Sequence, residues 1–130
     1  MSKQGFKELQ VWRKAKALAV DIYLLTNDGK VARDFGLRDQ LRRCAVSIPS
    51  NIAEGDERDT DKDSVRFFYM AKGSLAELIT QLEIGGEVGH FTKEQISPII
   101  SQCEELGRML GALIKARSAQ RPSPIASRLS

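Results

Sequence analysis

Glu87 and His90 are the residues whose types and spacing come nearest to a metal site. They form the Glu-x-x-His pattern that supplies ligands in di-iron helical bundles. Such a centre needs a second Glu-x-x-His pair and two further glutamates, whereas His90 is the only histidine of the chain. His90 also follows a glycine-rich stretch at the end of a predicted helix, where a rigid ligand shell is difficult to build. We therefore predict no metal site.

Two other patterns could belong to an enzyme, a group of glycines at positions 85, 86 and 89 and the serines Ser47 and Ser50. The glycines close a predicted helix instead of linking a strand to a helix, so they predict a C-terminal helix cap and not a phosphate-binding loop. The two serines lack a nearby base and the strand-turn-helix elbow of a nucleophilic serine. The sequence therefore predicts no catalytic residue, no cofactor and no enzymatic activity.

Basic side chains indicate a different chemistry, the binding of phosphate groups. The predicted nucleic-acid-binding residues are Arg38, Arg42, Lys115, Arg117 and Arg121. Arg38 and Arg42 lie one helical turn apart. Arg117 and Arg121 do so as well, provided that the last helix extends that far. Aromatic residues make up only 6% of the chain and Trp12 is the sole tryptophan, so no base-stacking platform is predicted. Binding would then be directed to the nucleic-acid backbone, weakly sequence-specific and steeply salt-dependent.

Charge is unevenly distributed along the chain, although the formal net charge is only +3. Residues 1–43 carry ten basic and five acidic side chains, residues 44–105 carry five and twelve, and the remainder carries five and none. This asymmetry is typical of proteins that bind nucleic acid or an acidic partner. The alternative is complementarity within the fold, in which the acidic residues between Asp56 and Asp63 lie at the same end of the bundle as Lys3, Lys7, Arg117 and Arg121, where the helix dipoles favour each sign of charge.

A polar stripe runs along the segment from Leu37 to Gly55. Residues at helical spacing predict its buried face, namely Leu37, Leu41, Cys44, Ile48 and Ile52. The neighbouring flank, at about 100° per residue, carries Gln40, Arg43, Ser47, Asn51 and Glu54. Five hydrogen-bonding groups in register favour a contact surface specified by polar partners. We expect Arg43 to form a partly buried ion pair with Glu77 of the next helix, which would fix the register of the two helices.

Four amphipathic segments position these residues. The predicted helices span about residues 11–25, 34–55, 60–85 and 92–117. Their predicted N-caps are Asp34, Thr60 and Thr92, and Gly55 is a predicted C-terminal stop. Short connections place successive helices antiparallel, so we predict an all-α, up-down-up-down four-helix bundle. Pro49 lies inside the second helix, where it removes one backbone hydrogen bond and is expected to bend the helix.

The length of 130 residues fits one domain, which we place at residues 1–117, with residues 118–130 as a flexible C-terminal tail. The first residues lack an apolar segment of signal-peptide length, and no run approaches the ~20 apolar residues of a membrane span. We therefore expect a cytoplasmic protein that does not bind a membrane. Cys44 and Cys103 lie on apolar helical stripes, where they are predicted to be free thiols.

Several of these segments carry a family resemblance. The runs FKELQVWRKA, FGLRDQLRRCAVSIPSNIAEG, AKGSLAELITQLEI and GHFTKEQ are similar to the four-helix-bundle proteins named for intervening sequences in 23S rRNA genes. The resemblance covers about residues 6–115, and the SIPSNIAEG run is its most specific part. It implies an all-α bundle that assembles into a ring, commonly a homopentamer, with a basic surface. A related branch comprises accessory proteins of diversity-generating retroelements, which resemble partners of a reverse transcriptase and of nucleic acid.

The resemblance also implies a set of fold and assembly residues rather than a catalytic set. These residues are Arg43, Ser47, Pro49, Asn51, Glu54, Gly55, Gly73, Ser74 and Glu77. The sequence is compatible with two functions. The first is an oligomeric accessory factor that binds RNA or DNA, or a nucleic-acid-handling protein, through basic patches. The second is an oligomeric scaffold for protein interactions that binds no nucleic acid.

Overall fold

The computed structural model describes residues 5–119, which fold into four α-helices and two short 3₁₀ helices. The α-helices are α1 (Gln10–Leu25), α2 (Phe35–Asp56), α3 (Asp61–Glu87) and α4 (Lys93–Ala119), and the 3₁₀ helices are Gly5–Glu8 and Lys30–Arg33. No strand occurs within this part of the chain. Each α-helix packs against the next, and α1 also packs against α4. The predicted antiparallel four-helix bundle is therefore confirmed.

One apolar core runs along the bundle axis and uses the predicted stripes of all four helices. Its largest fully buried side chains include Phe68, Leu18, Ile22, Leu41, Ile48, Ile52, Leu78, Leu82, Leu106 and Leu110. In the last turn of the core, Ile114 is buried and Leu113 packs only partly against the core. Cys44 and Cys103 are buried free thiols, as predicted.

Side-chain caps begin three of the helices where the sequence predicts them. Asp34 Oδ1 and Thr60 Oγ1 each accept a hydrogen bond, both at 3.2 Å, from the backbone N–H three residues later. Thr92 and Gln95 form a reciprocal capping box, with N–H to side-chain distances of 2.8 and 3.2 Å. These contacts satisfy backbone donors that a helix start otherwise leaves without a partner.

Gly55 is not the C-terminal stop that the sequence predicts, whereas the predicted cap of the glycines at positions 85, 86 and 89 forms with Gly89, and not Gly85, at the end of the helix. α2 and α3 continue one and two residues beyond Gly55 and Gly85, respectively. Both glycines instead permit close packing: a Cβ atom on Gly55 would lie 2.6 Å from Cε1 of Phe68, and one on Gly85 would overlap the ring of Phe91. Gly89, with φ of +88°, is the glycine that adopts the left-handed conformation after α3.

α2 is continuous through Pro49, whose side chain is buried. The bend at this proline stays a prediction. A second proline, Pro98, lies within α4, which extends two residues beyond the predicted domain limit at position 117. The rest of the predicted tail, together with Arg121, lies outside the described residues. None of the helices within residues 5–119 is both long and apolar enough to cross a membrane.

Candidate interaction surfaces

An open groove of about 390 Å³ lies on the surface between α2 and α3, and three residues of the predicted polar stripe line it. Its lining residues are Gln40, Arg43, Cys44, Ser47, Ser74, Glu77 and Gln81. α2 and α3 are antiparallel neighbours, so the polar flank of α2 faces the polar flank of α3 along their shared length. The structure thus brings Arg43 and Ser47 together with Glu77. We call this feature the α2–α3 groove.

Hydrogen bonds across the floor of the α2–α3 groove connect the two helices. Ser47 Oγ hydrogen-bonds to Ser74 Oγ at 2.7 Å, and the Cys44 thiol donates to the Ser74 carbonyl oxygen at 3.0 Å. Burial, together with a smaller effect of the negative charge of Glu77, raises the pKa of the Cys44 thiol to about 11. Cys44 therefore stays protonated near neutral pH and is not an activated nucleophile.

The charged residues of this groove do not form the predicted ion pair. Arg43 and Glu77 are both exposed, and none of the ion pairs between residues 5–119 joins them. The prediction of a partly buried pair is therefore wrong. Its physical reason is that the groove is open, so water solvates each charge and little is gained by pairing them.

Gln81 is the groove residue that the polar stripe of α2 did not indicate. Its Oε1 atom is buried and has no hydrogen-bond partner among the described residues. A signal for it does exist in the sequence, because Ser74, Glu77 and Gln81 recur at helical spacing on one flank of α3. A buried acceptor without a donor is costly and rare in folded proteins.

The remaining residues of the polar stripe, Asn51 and Glu54, form local contacts and do not line the groove. The Asn51 side-chain amide donates to the Ser47 carbonyl oxygen at 2.9 Å. Glu54 pairs with Arg58 at 2.8 Å, and both side chains are exposed. Glu54 lines a different pocket, of about 400 Å³, together with Phe6 and Glu57. The stripe is therefore divided between a groove and local contacts.

Arg42 hydrogen-bonds to the C-terminal end of α1. Its Nε donates to the buried Thr26 hydroxyl at 2.9 Å, and its Nη2 donates to the Tyr23 carbonyl oxygen at 3.5 Å. The guanidinium also lies 4.6 Å above the Tyr23 ring. Arg42 therefore has a structural role that the sequence did not predict, since the contact joins residues of two helices.

Arg38 lies one turn before Arg42 and is held in a similar way. Its Nη1 donates to the Ala32 carbonyl oxygen at 3.1 Å, its Nε pairs with Asp39 at 3.0 Å, and its guanidinium lies 4.8 Å from the Phe35 ring. A guanidinium has five N–H donors, so three donors of each arginine take no part in these hydrogen bonds. The two arginines are thus fixed in position and keep donors for another molecule.

The predicted phosphate-binding residues of α4 differ from this pair. Arg117 Nη2 pairs with Asp56 Oδ1 at 2.8 Å, with exposed side-chain fractions of 21% and 8%. Its guanidinium also lies 5.4 Å from the Phe68 ring. For Arg117 the structure thus supports charge complementarity within the fold. Lys115 is exposed and forms no ion pair with another described residue.

His90 contacts a carboxylate instead of lying in a group of metal ligands. Its Nε2 lies 2.9 Å from Asp34 Oδ2, while its Nδ1 is buried and has no partner among residues 5–119. The hydrogen bond from His90, with a second from the Leu37 backbone N–H, lowers the pKa of Asp34. No group of three or more His, Cys, Asp or Glu residues in the described chain could hold a metal ion.

Comparison with known proteins agrees with this architecture. The model of a family described as 23S rRNA-intervening sequence protein matches residues 7–112. The chain is also similar to a crystal structure of a protein of unknown function from the S23 ribosomal protein family of Bacteroides thetaiotaomicron. That likeness has a TM-score of 0.74 and 26% sequence identity, and covers 81% of this chain and 98% of the other. A comparison with curated proteins found no match. The chain therefore belongs to the family of 23S rRNA-intervening sequence proteins.

Proposed function

We propose that this protein is a non-enzymatic accessory factor that assembles into a homo-oligomer and binds the backbone of RNA or DNA in the cytoplasm. The observation that carries the proposal is the Arg38–Arg42 pair on α2. Each guanidinium is positioned by hydrogen bonds and by an aromatic ring, and each keeps three N–H donors. Such arginines lose little conformational freedom when they bind phosphate groups.

Assembly is supported by apolar side chains on the outside of the bundle. Large hydrophobic residues with at least 41% exposure are Val20, Tyr23, Leu24, Phe35, Val46, Tyr69, Met70, Ile84 and Val88. Five of them, at positions 20, 23, 24, 35 and 46, belong to α1 and α2, the two helices that the Arg42 contacts join. Exposed apolar and aromatic residues are typical of protein interfaces. A ring of five subunits, as the family resemblance implies, would also multiply the modest basic patch of one subunit.

The experiment is a titration of fluorescently labelled RNA and DNA with the full chain at several salt concentrations. We expect binding that weakens steeply with salt and depends little on sequence. The double variant Arg38→Gln/Arg42→Gln should bind at least about tenfold more weakly and show a shallower salt dependence. Lys72→Gln, an exposed lysine of α3, is the control and should change affinity little. Absence of binding by the wild type at low salt would contradict the proposal.

A second function, an oligomeric scaffold for a protein partner, is favoured by the α2–α3 groove. Its exposed Arg43 and Glu77 have no ion-pair partner among the described residues, and Gln81 has a buried acceptor without a donor. These groups suit a protein surface that offers complementary charges and donors. The same titration separates the two functions, since an oligomer that binds neither RNA nor DNA even at low salt would be such a scaffold.

A further inference from the structure

We propose that a second copy of this chain occupies the α2–α3 groove and that Arg43 of one subunit pairs with Glu77 of its neighbour. The inference rests on the homo-oligomer of the proposed function and identifies where its subunits meet. It assigns the polar residues of the groove to assembly, whereas the Arg38–Arg42 pair on the other flank of α2 remains free for nucleic acid.

Opposite charges that are unused within the subunit are the first support. Arg43 on α2 and Glu77 on α3 line the same groove and are both exposed. Two other charges of α2 do find partners within the chain, since Glu54 pairs with Arg58 and Arg38 pairs with Asp39. A groove that offers one cation and one anion is complementary to an identical groove.

The buried acceptor of Gln81 is the second, independent support. Glu77 and Gln81 are four residues apart on α3, so they are neighbours on the helix surface, with Cβ atoms about 5–6 Å apart. Both residues line the groove, and the Gln81 amide oxygen is buried within the subunit. A guanidinium carries five N–H donors in a planar fork and can serve two such acceptors at once. The neighbour's Arg43 would therefore neutralise Glu77, and a turn of the Gln81 side chain toward the groove would let the same guanidinium supply the donor that Gln81 Oε1 lacks.

The pairing also favours a closed assembly. Each subunit would give its Arg43 to one neighbour and receive the Arg43 of another at its own Glu77. An open chain leaves one arginine and one glutamate without partners at its ends, whereas a closed ring or a two-fold dimer pairs all of them. The floor of the groove, formed by Ser47 and Ser74, lies beneath this contact and would be shielded from water.

The test reverses the two charges, separately and together, and measures the mass of the full chain by gel filtration with light scattering. Arg43→Glu and Glu77→Arg should each weaken self-association by at least about tenfold, because each places like charges opposite one another. The doubly reversed variant Arg43→Glu/Glu77→Arg should regain the oligomer. Since both residues are exposed, all three variants should keep the helical circular dichroism of the wild type.

Lys72→Glu and Glu83→Arg are matched controls, because these exposed residues of α3 lie outside the groove lining. Both controls should leave the mass unchanged. Oligomers that survive each single reversal would overturn the inference and leave the proposed function intact. Failure of the double reversal to restore the oligomer would overturn the pairing of these two residues. A wild-type monomer at micromolar concentration would instead contradict the homo-oligomer itself.

Discussion

Asp34 joins two parts of the bundle through the two oxygens of its carboxylate. Oδ1 accepts from the Leu37 N–H and begins α2, while Oδ2 lies 2.9 Å from His90 Nε2 in the turn after α3. The two hydrogen bonds lower the pKa of this carboxyl, with the His90 contact as the larger cause. His90, the histidine of the Glu-x-x-His pattern, is thus a structural partner of the residue that caps α2.

Asp34→Ala should therefore lower the melting temperature by a few degrees at pH 7, because both hydrogen bonds are lost. Asp34→Asn should cost less, since asparagine caps a helix as well as aspartate does. A carboxyl with a lowered folded-state pKa stabilises the fold at pH values above its ordinary pKa of 3.8, and this contribution disappears as the pH falls through the lowered value. The difference in melting temperature between the wild type and Asp34→Asn should accordingly shrink as the pH falls below 3.8.

Thermal melts at pH 7 and at steps down to pH 3 measure this effect. A matched substitution, Asp28→Asn, changes an exposed carboxylate in the turn after α1 and should leave the melting temperature almost unchanged. Equal melting temperatures for wild type and Asp34→Ala would show that neither contact stabilises the bundle.

At the scale of the elements, the contact between α2 and α3 depends on glycine at position 55, which has no side chain. The backbone carbonyl of Gly55 accepts from the buried Ser64 hydroxyl at 2.6 Å, and Phe68 occupies the space where a Cβ atom would lie. The end of α2 can approach α3 this closely only because residue 55 is glycine. Close packing here fixes the spacing of the two helices that form the α2–α3 groove.

Gly55→Ala should destabilise the protein by about 1–3 kcal/mol, since overpacking outweighs the better helix propensity of alanine. Gly107→Ala is the matched control, because it lies inside α4 and a Cβ atom there would meet nothing within 4 Å. It should stabilise the protein by up to about 1 kcal/mol. Urea denaturation followed by circular dichroism measures both changes, and a stabilised Gly55→Ala variant would contradict the packing.

Helix positions and caps could be predicted from the sequence because they depend on local periodicity and on side chains within one turn. Asp34, Thr60 and Thr92 cap their helices, and the predicted stripe of α2 is buried except for Leu37, which is partly buried. The roles of Gly55 and Arg42 could not be predicted, since each is decided by a contact with another helix. The sequence correctly predicts that Arg43 and Glu77 lie near each other, but it does not predict their exposure, which depends on the open shape of the groove.

At the scale of the whole molecule, charge serves different purposes at different places. Where α2 and α4 end, Arg117 reaches Asp56, whose side chain is only 8% exposed. At the N-terminal half of α2, Arg38 and Arg42 keep donors directed to no group within the described chain. The charge asymmetry of the sequence thus combines complementarity within the fold with a candidate binding surface.

Arg117→Gln should therefore reduce the stability of the bundle by about 1–2 kcal/mol, because it leaves a mostly buried carboxylate without its cation. It should change nucleic-acid affinity less than Arg38→Gln/Arg42→Gln does. Urea denaturation and the salt titration measure the two effects in parallel. A variant with normal stability and lost nucleic-acid binding would show instead that Arg117 is a phosphate contact.

The mass of the full-length wild type in solution tests the central claim most directly, because both the multiplied basic surface and the shared groove require assembly. Gel filtration with light scattering at micromolar concentration should give about 73 kDa for a ring of five chains of 14.5 kDa each. A single species at the mass of one chain would contradict the account.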